Sequence, residues 1–150
     1  MKLVLCQVDG NFYGIDIGRV QGIEKKLEIT MVPNASDLIV GISNLRGVVV
    51  PIISLQRKFH VAEKPLTEDT KYIVTKISDM LVGFRVDLVA EIVEVEDKDF
   101  MPVPVIVANE NTSYAQSIVR VKDKLVLVLD VEGILNEVEK KKITKLVEEQ

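Results

Sequence analysis

Short apolar runs built from side chains branched at Cβ, each closed by a turn signal, constrain this chain more than any other feature. The run Val48-Val49-Val50-Pro51-Ile52-Ile53 is the densest. Valine and isoleucine occur 25 and 15 times, against 14 leucines. Such side chains lose χ1 freedom in helices and pack well on a pleated surface, so the chain is read as mainly β. Strands are expected at 3–8, 12–16, 42–45, 48–53, 71–77, 81–86, 89–95, 115–121 and 125–129. The turns between them fall at Asp9-Gly10-Asn11, Arg46-Gly47, Ser78-Asp79 and Lys122-Asp123-Lys124. Short strands at this spacing suggest small barrels. Pro51 lacks an N–H, so its strand needs a free edge or a bulge at that point.

Helix is expected in few places. Ser36 and Asp37 can cap a turn over 38–40, and Ser54 one over 55–59. Val131, Ile134, Leu135 and Val138 follow the i, i+3, i+4, i+7 rule of an amphipathic helix. The charged tail 139–150 reads as a solvated helix end. The alternative is an adhesive strip, since Ile143, Leu146 and Val147 share a face. The polar stretch 61–70, with Pro65, reads as a linker, and Pro102, Pro104 and 109–113 mark an irregular loop.

An internal echo organises the chain. Residues 41–55 align without gaps onto 117–131, an offset of 76. In both, an apolar strand enters a turn carrying a basic residue, an apolar run leaves it, and Ser54 or Asp130 opens a short helix. Upstream, the hairpin ending in Ile15-Asp16 resembles the one ending in Val86-Asp87. The expected organisation is one domain over 1–150, with approximate halves 1–62 and 70–138 whose subdomains are free to exchange strands.

Charge and chemistry narrow the function. Nineteen basic against 23 acidic residues give a net charge of −4, a poor match to the basic surface that nucleic acid requires. The amino-terminal MKLVLCQVDGNFYG is too short and interrupted for a signal peptide, and no run approaches the ~18 apolar residues of a membrane span. A cytoplasmic protein without direct membrane insertion is expected. There is one histidine, His60, in a charged stretch, and one cysteine, Cys6, read as a small buried hydrophobe. A zinc-ligand cluster is therefore not expected. GxGxxG, GxxxxGK[ST] and GxSxG are absent. Carboxylate pairs such as Glu94/Glu96, Asp97/Asp99 and Glu148/Glu149 sit in charge-rich stretches. Neither enzymatic activity nor a cofactor is expected. A small-ligand site between the barrels would need convergent titratable groups, which the sequence does not supply.

The segment Gly41-Ile42-Ser43-Asn44-Leu45-Arg46-Gly47-Val48-Val49-Val50-Pro51-Ile52-Ile53-Ser54-Leu55 resembles the CheW-type chemotaxis coupling proteins through its G-x-x-N-L-R-G-x-x-x-P-x-x-x-L pattern. Segments 13–23, 82–89 and 125–131 match in order, so the resemblance covers about residues 3–138. It implies two SH3-like five-stranded β-barrel subdomains sharing a core, with short helices and a C-terminal helix. It implies an adaptor that bridges the cytoplasmic signalling tip of a chemoreceptor (a methyl-accepting chemotaxis protein) and the regulatory domain of the histidine kinase CheA, located at membrane-associated receptor arrays. CheA's regulatory domain shares the fold, so kinase and adaptor would associate barrel to barrel. Neither the kinase itself, which is several times longer, nor an adaptor–receiver fusion of the same family is expected. An alternative is a CheW-like scaffold serving another receptor–kinase circuit in motility or development.

By the same resemblance, Val20, Val89 and Ile92 line a receptor groove with Arg46 and Gly47 at its rim. Asn44, Leu45, Pro51, Gly83 and Asp87 belong to the structural motif. Where the family commonly has Val-Gln-Glu-Ile, this chain has Val20-Gln21-Gly22-Ile23, so the carboxylate that would partner Arg46 is missing. Glu24 and Glu91 are both open as substitutes. Ser117 stands where the family usually has glycine.

Overall fold

Four two-residue turns set the hairpins. Asp9-Gly10, Arg46-Gly47, Ser78-Asp79 and Lys122-Asp123 have positive φ at both positions, the turn geometry whose twist matches paired antiparallel strands. The computed structural model describes residues 1–33, 35–102 and 114–150. The expected loop at Pro104 and 109–113, and Asn34, lie outside the described residues. The strands are β1 (Lys2–Val8), β2 (Asn11–Asp16), β3 (Val20–Glu24), β4 (Ile39–Leu45), β5 (Val48–Ser54) and β6 (Lys71–Ile77). They continue as β7 (Met80–Val86), β8 (Leu88–Glu94), β9 (Phe100–Met101), β10 (Ala115–Val121) and β11 (Lys124–Leu129). The helices are α1 (Leu55–Lys58), α2 (Val131–Ile134) and α3 (Glu137–Glu148).

Two sheets result, in the orders β8-β1-β2-β11-β10-β9 and β3-β6-β7-β5-β4. They are two versions of one arrangement. In each, a hairpin pairs on one side with a single edge strand and on the other, in parallel, with a second hairpin. Val128 opposes Gly14 in the first sheet as Ile52 opposes Gly83 in the second. The short strand β9 places Met101 opposite Ile118 just as Thr30 bridges Ile42. Asp130 N–H donates to the Tyr114 carbonyl (2.8 Å) as Ser54 N–H donates to that of Leu38 (3.0 Å). The sequence echo at offset 76 is thus a structural repeat. Its upstream part is shifted from the sequence alignment, because Gly14 corresponds to Gly83 and Ile15-Asp16 therefore to Phe84-Arg85. Each sheet draws strands from both sides of the 61–70 stretch. The mainly β class and the pair of SH3-like subdomains are as expected, with the sheets open rather than closed into barrels.

The densest apolar runs are continuous because β1, β5, β6 and β7 bury both faces. On β1, Val4, Cys6 and Val8 face the core shared by the two sheets, while Leu3 and Leu5 face a smaller core inside their own. On β5, Ile53 faces the shared core and Val50 and Ile52 face the second small one. This is the period of two in a strand, read on both faces. Space is tight at the two glycines of the parallel seams. A Cβ on Gly83 would lie 2.8 Å from the Ile52 Cδ1, and one on Gly14 would lie 3.1 Å from that of Leu3.

Pro51 sits in an interior strand, and hydrogen-bond phase explains how. The N–H and C=O of Ile42, its partner on β4, both bond to Thr30. Pro51 therefore occupies a non-hydrogen-bonded position with its nitrogen toward β7, one residue before that ladder starts at Ile52.

Two helical expectations are corrected. Ile39 and Val40 belong to β4 rather than to a capped turn, since Leu38 is needed as acceptor for Ser54 and Arg57 holds the carbonyls of Asp37 and Ile39. The terminal helix does not run from Val131 through Val138. The chain turns extended at Leu135, and Asn136 caps α3 in a reciprocal box with Glu139. Leu135 is buried, whereas Val138 is 61% exposed. The tail is not solvated: Ile143 and Leu146 of α3 enter the shared core. The 61–70 stretch is strapped down by Glu63, which is ion-paired to both Arg57 and Arg85.

Candidate protein-binding surface

The candidate surface follows the two edge strands. On β3, Val20 opposes Thr75, the register slips by one, and Gly22 opposes Val74. On β8, Val89 opposes Cys6, the register slips by one, and Glu91 opposes Leu5. Val20-Gln21-Gly22-Ile23 and Val89-Ala90-Glu91-Ile92 therefore occupy equivalent places in the repeat. Both valines are half-buried and pack on the shared core. Both isoleucines turn outward, Ile23 at 37% and Ile92 at 53% exposure.

The hairpin tips complete the pattern. Arg46 stands on the β4–β5 turn in the left-handed region, φ 51°, beside Gly47 at 86°. The Gly47 N–H donates to the Asn44 Oδ1 at 2.9 Å, which holds the tip closed. An Arg46 Nη2 lies 3.4 Å from the Glu24 Oε1, so Glu24 is the substitute carboxylate, and Glu91 is instead paired with Lys122 at 2.9 Å. Lys122 is the repeat equivalent of Arg46. Arg46 itself remains 78% exposed, with most of its fork free.

Val20 and Val89 thus share a core, while Arg46 and Gly47 meet β3 at its opposite end, about 13 Å along the strand from Val20. Ile92 lies on the other sheet's edge. Leu45 is half-buried on the small core of the second sheet. Asp87 joins the sheets. Its Oδ2 accepts from the Asp9 N–H and its Oδ1 from Gln56 Nε2, each at 2.7 Å. Ile23 and Lys122 are not among the expected site residues, and Glu24 and Glu91 enter the expectation only as substitute partners of Arg46. The offset-76 echo, which aligns Lys122 with Arg46, is the signal that points to Lys122.

Reactive chemistry is sparse at this surface. Burial, with the nearby Asp87 carboxylate adding to it, pushes the Cys6 thiol up to about 12. His60 is an exposed residue just past α1. A groove of about 1060 Å³ lies elsewhere, between the 32–39 segment and α3, with mixed apolar and charged walls. Among the described residues no helix is long and apolar enough to cross a membrane.

Comparison with known proteins agrees with this architecture. The family model "CheW-like domain" matches residues 2–139. The chain is 30% identical to the chemotaxis protein CheW of Bacillus subtilis (strain 168), over 90% of this chain and 86% of that protein. It is 35% identical to that of Helicobacter pylori, over 82% and 74%. The crystal structure of the scaffolding protein TtCheW from Thermoanaerobacter tengcongensis superposes with a TM-score of 0.84 at 26% identity, covering 92% of this chain and 94% of that one. This chain belongs to the CheW-like domain family of chemotaxis scaffold proteins.

Proposed function

We propose that this protein is a non-enzymatic adaptor that couples the helical signalling tip of a chemoreceptor to the regulatory domain of a CheA-type histidine kinase, at receptor arrays on the cytoplasmic side of the membrane. The observation that carries the reading is the β3 edge. There a half-buried Val20 and an outward Ile23 lead to an exposed arginine anchored by Glu24. Helices dock by laying apolar side chains into grooves, and an arginine fork at the rim can take a carboxylate. Val89 and Ile92 extend the apolar contact on the other sheet, and Gly47 sets the tip that presents Arg46. A non-obligate contact of standard size or below, roughly 800 Å² per partner, gives exchangeable micromolar complexes.

The test is titration of a receptor signalling fragment and of a kinase regulatory domain against wild type, Arg46→Glu and Val20→Asp. Both partners bind wild type, and both variants lose the receptor fragment while remaining folded, Arg46→Glu at an unchanged melting temperature and Val20→Asp at a lowered one because Val20 packs on the shared core. A folded wild type that binds neither partner contradicts the reading. Gly22, in place of the family's usual glutamate, favours service to a distinct receptor class, which the identity of captured receptors decides.

A further inference from the structure

We propose that Glu132 and Arg19 are positioning residues for receptor binding: from α2, which follows the last strand of one sheet, Glu132 holds Arg19 and so fixes Val20 at the start of β3 in the other. The inference rests on the adaptor reading and adds to it two residues that act without touching the receptor.

The repeat shows this junction to be a designed part of the fold. The correspondence that matches Gly14 with Gly83 also matches the hairpin tips at Asp9 and Ser78 and the edge valines Val20 and Val89, while the offset of 76 matches Gln56 with Glu132. Gln56 and Glu132 are each the second residue of a short helix opened by a capping side chain, Ser54 or Asp130. At one junction the Asp87 carboxylate, just before β8, accepts from the Gln56 Nε2 and from the Asp9 N–H, each at 2.7 Å. At the other, the Glu132 Oε1 accepts from the Nη2 of Arg19, just before β3, at 2.8 Å and from the Ser78 N–H at 3.4 Å. In both, the helix that follows one sheet meets a hairpin tip and an edge-strand entry of the other sheet on a single carboxylate.

The two junctions differ in polarity. At β8 the carboxylate is on the strand entry and its helix partner is a fully buried neutral amide. At β3 the carboxylate is on the helix and its partner is a cation, with the Arg19 and Glu132 side chains 42% and 39% exposed. The second junction is therefore one that a substitution can open without removing a buried group. A polar cleft of about 330 Å³ runs past it and takes in Gln21 of β3.

The path from Glu132 to Val20 is short. The Arg19 Nη2 also donates to the Lys76 carbonyl at 3.2 Å, one residue beyond Thr75, the partner of Val20. The Val20 N–H donates back to the Ile17 carbonyl, closing the single turn Ile17–Arg19. Register slips between Val20 and Gly22, so the regular ladder downstream does not by itself place Val20. Its placement depends on the turn before it and on the Arg19 clamp. Lys140 of α3, 3.5 Å from the Glu132 Oε2, steadies the clamp from the far side.

The test is a double-mutant cycle. A soluble chemoreceptor signalling fragment and a CheA-type regulatory domain are each titrated calorimetrically against wild type, Glu132→Ala, Arg19→Ala and the double variant, with thermal melts and amide hydrogen exchange in parallel. Each single variant weakens binding of the receptor fragment by about threefold to fivefold, the reach of an exposed ion pair, and leaves binding of the kinase domain within about twofold of wild type. The double variant loses no more than the weaker-binding single one, because the two residues act as one clamp. The Val20 amide exchanges faster in Glu132→Ala. A Glu132→Ala loss below about threefold, or losses in the two single variants that add in the double one, overturns the inference and leaves the adaptor reading standing. Equal losses for both partners overturn it too. Should Glu132→Ala fail to fold, Glu132→Gln takes its place, and receptor binding and Val20 exchange that both match wild type overturn it. A folded wild type that binds neither partner overturns both.

Discussion

Lys122 Nζ lies 2.9 Å from the Glu91 carboxylate, and the repeat places that pair where Arg46 and Gly22 stand in the other sheet. One architecture therefore carries two acid–base pairs at two different spacings. Glu91 pairs from mid-strand and Glu24 from the strand's end.

Both pairs are solvent-exposed, so neither holds the fold. Lys122→Met and Arg46→Met each lower unfolding free energy by less than about 1 kcal/mol in urea titrations. Arg46→Met nevertheless weakens receptor-fragment binding. A large stability loss in either variant contradicts a recognition role for the tip.

Glycine positions divide by what their Cβ would strike. At Gly41 it would lie 2.4 Å from the Thr30 carbonyl oxygen, a backbone atom that bridges to β4. At Gly83 it would meet the end of the Ile52 side chain, which can rotate. Gly41→Ala is expected to cost about 3 kcal/mol or more and Gly83→Ala about 1–2 kcal/mol, read from denaturant midpoints. Equal costs contradict this account of the bridge.

Asp87 is the polar joint between the sheets, with both oxygens occupied by donors from different elements. Asp87→Ala leaves the buried Gln56 amide without its acceptor, and is expected to cost about 2–3 kcal/mol. Hydrogen exchange at the Asp9 amide, normally held at 2.7 Å by that carboxylate, rises in the variant. Unchanged protection there argues against the joint.

Glu132 ties α2 to its neighbours. Burial alone raises its pKa, but hydrogen bonds from Arg19 and the Ser78 N–H, with the charges of Lys140 and Arg19, leave it below the ordinary 4.5. A carboxylate with a depressed folded-state pKa contributes stability that is fully present above its unfolded value and is lost as pH falls through the folded one. Wild type should therefore lose melting temperature below about pH 4.5 more steeply than Glu132→Gln, with the two converging at lower pH. Parallel acid limbs contradict the assignment.

Much of this was legible in the chain because strand pattern and turn chemistry are local. Lys71–Ile77 and Ala115–Val121 are strands over the span their alternation and flanking turns indicate. What misled was tertiary. Val138 continues the helical spacing of Val131 and Ile134, yet Asn136 starts a new helix and leaves it exposed. Ile143 and Leu146 sit among lysines and glutamates that suggest a solvated tail, because a short amphipathic helix and a frayed one share a pattern until the core beneath is known. β9 is two residues long, too short for any periodicity to register. For the surface, local sequence shows Arg46 and its turn, but not that Glu24, rather than Glu91, reaches it. That choice depends on which sheet each edge strand joins.

Because Ile143 is fully buried in the shared core, Ile143→Ala is expected to cost about 2–5 kcal/mol in urea unfolding. A cost below about 0.5 kcal/mol, typical of surface positions, restores the solvated-tail reading.

The coupling claim is tested most directly by sedimentation velocity of the protein mixed with a receptor signalling fragment and a CheA-type regulatory domain. A single complex containing all three components is predicted, and Arg46→Glu is predicted to release the receptor fragment while the kinase domain stays bound. Separate sedimentation of the folded protein in the presence of both partners would contradict it.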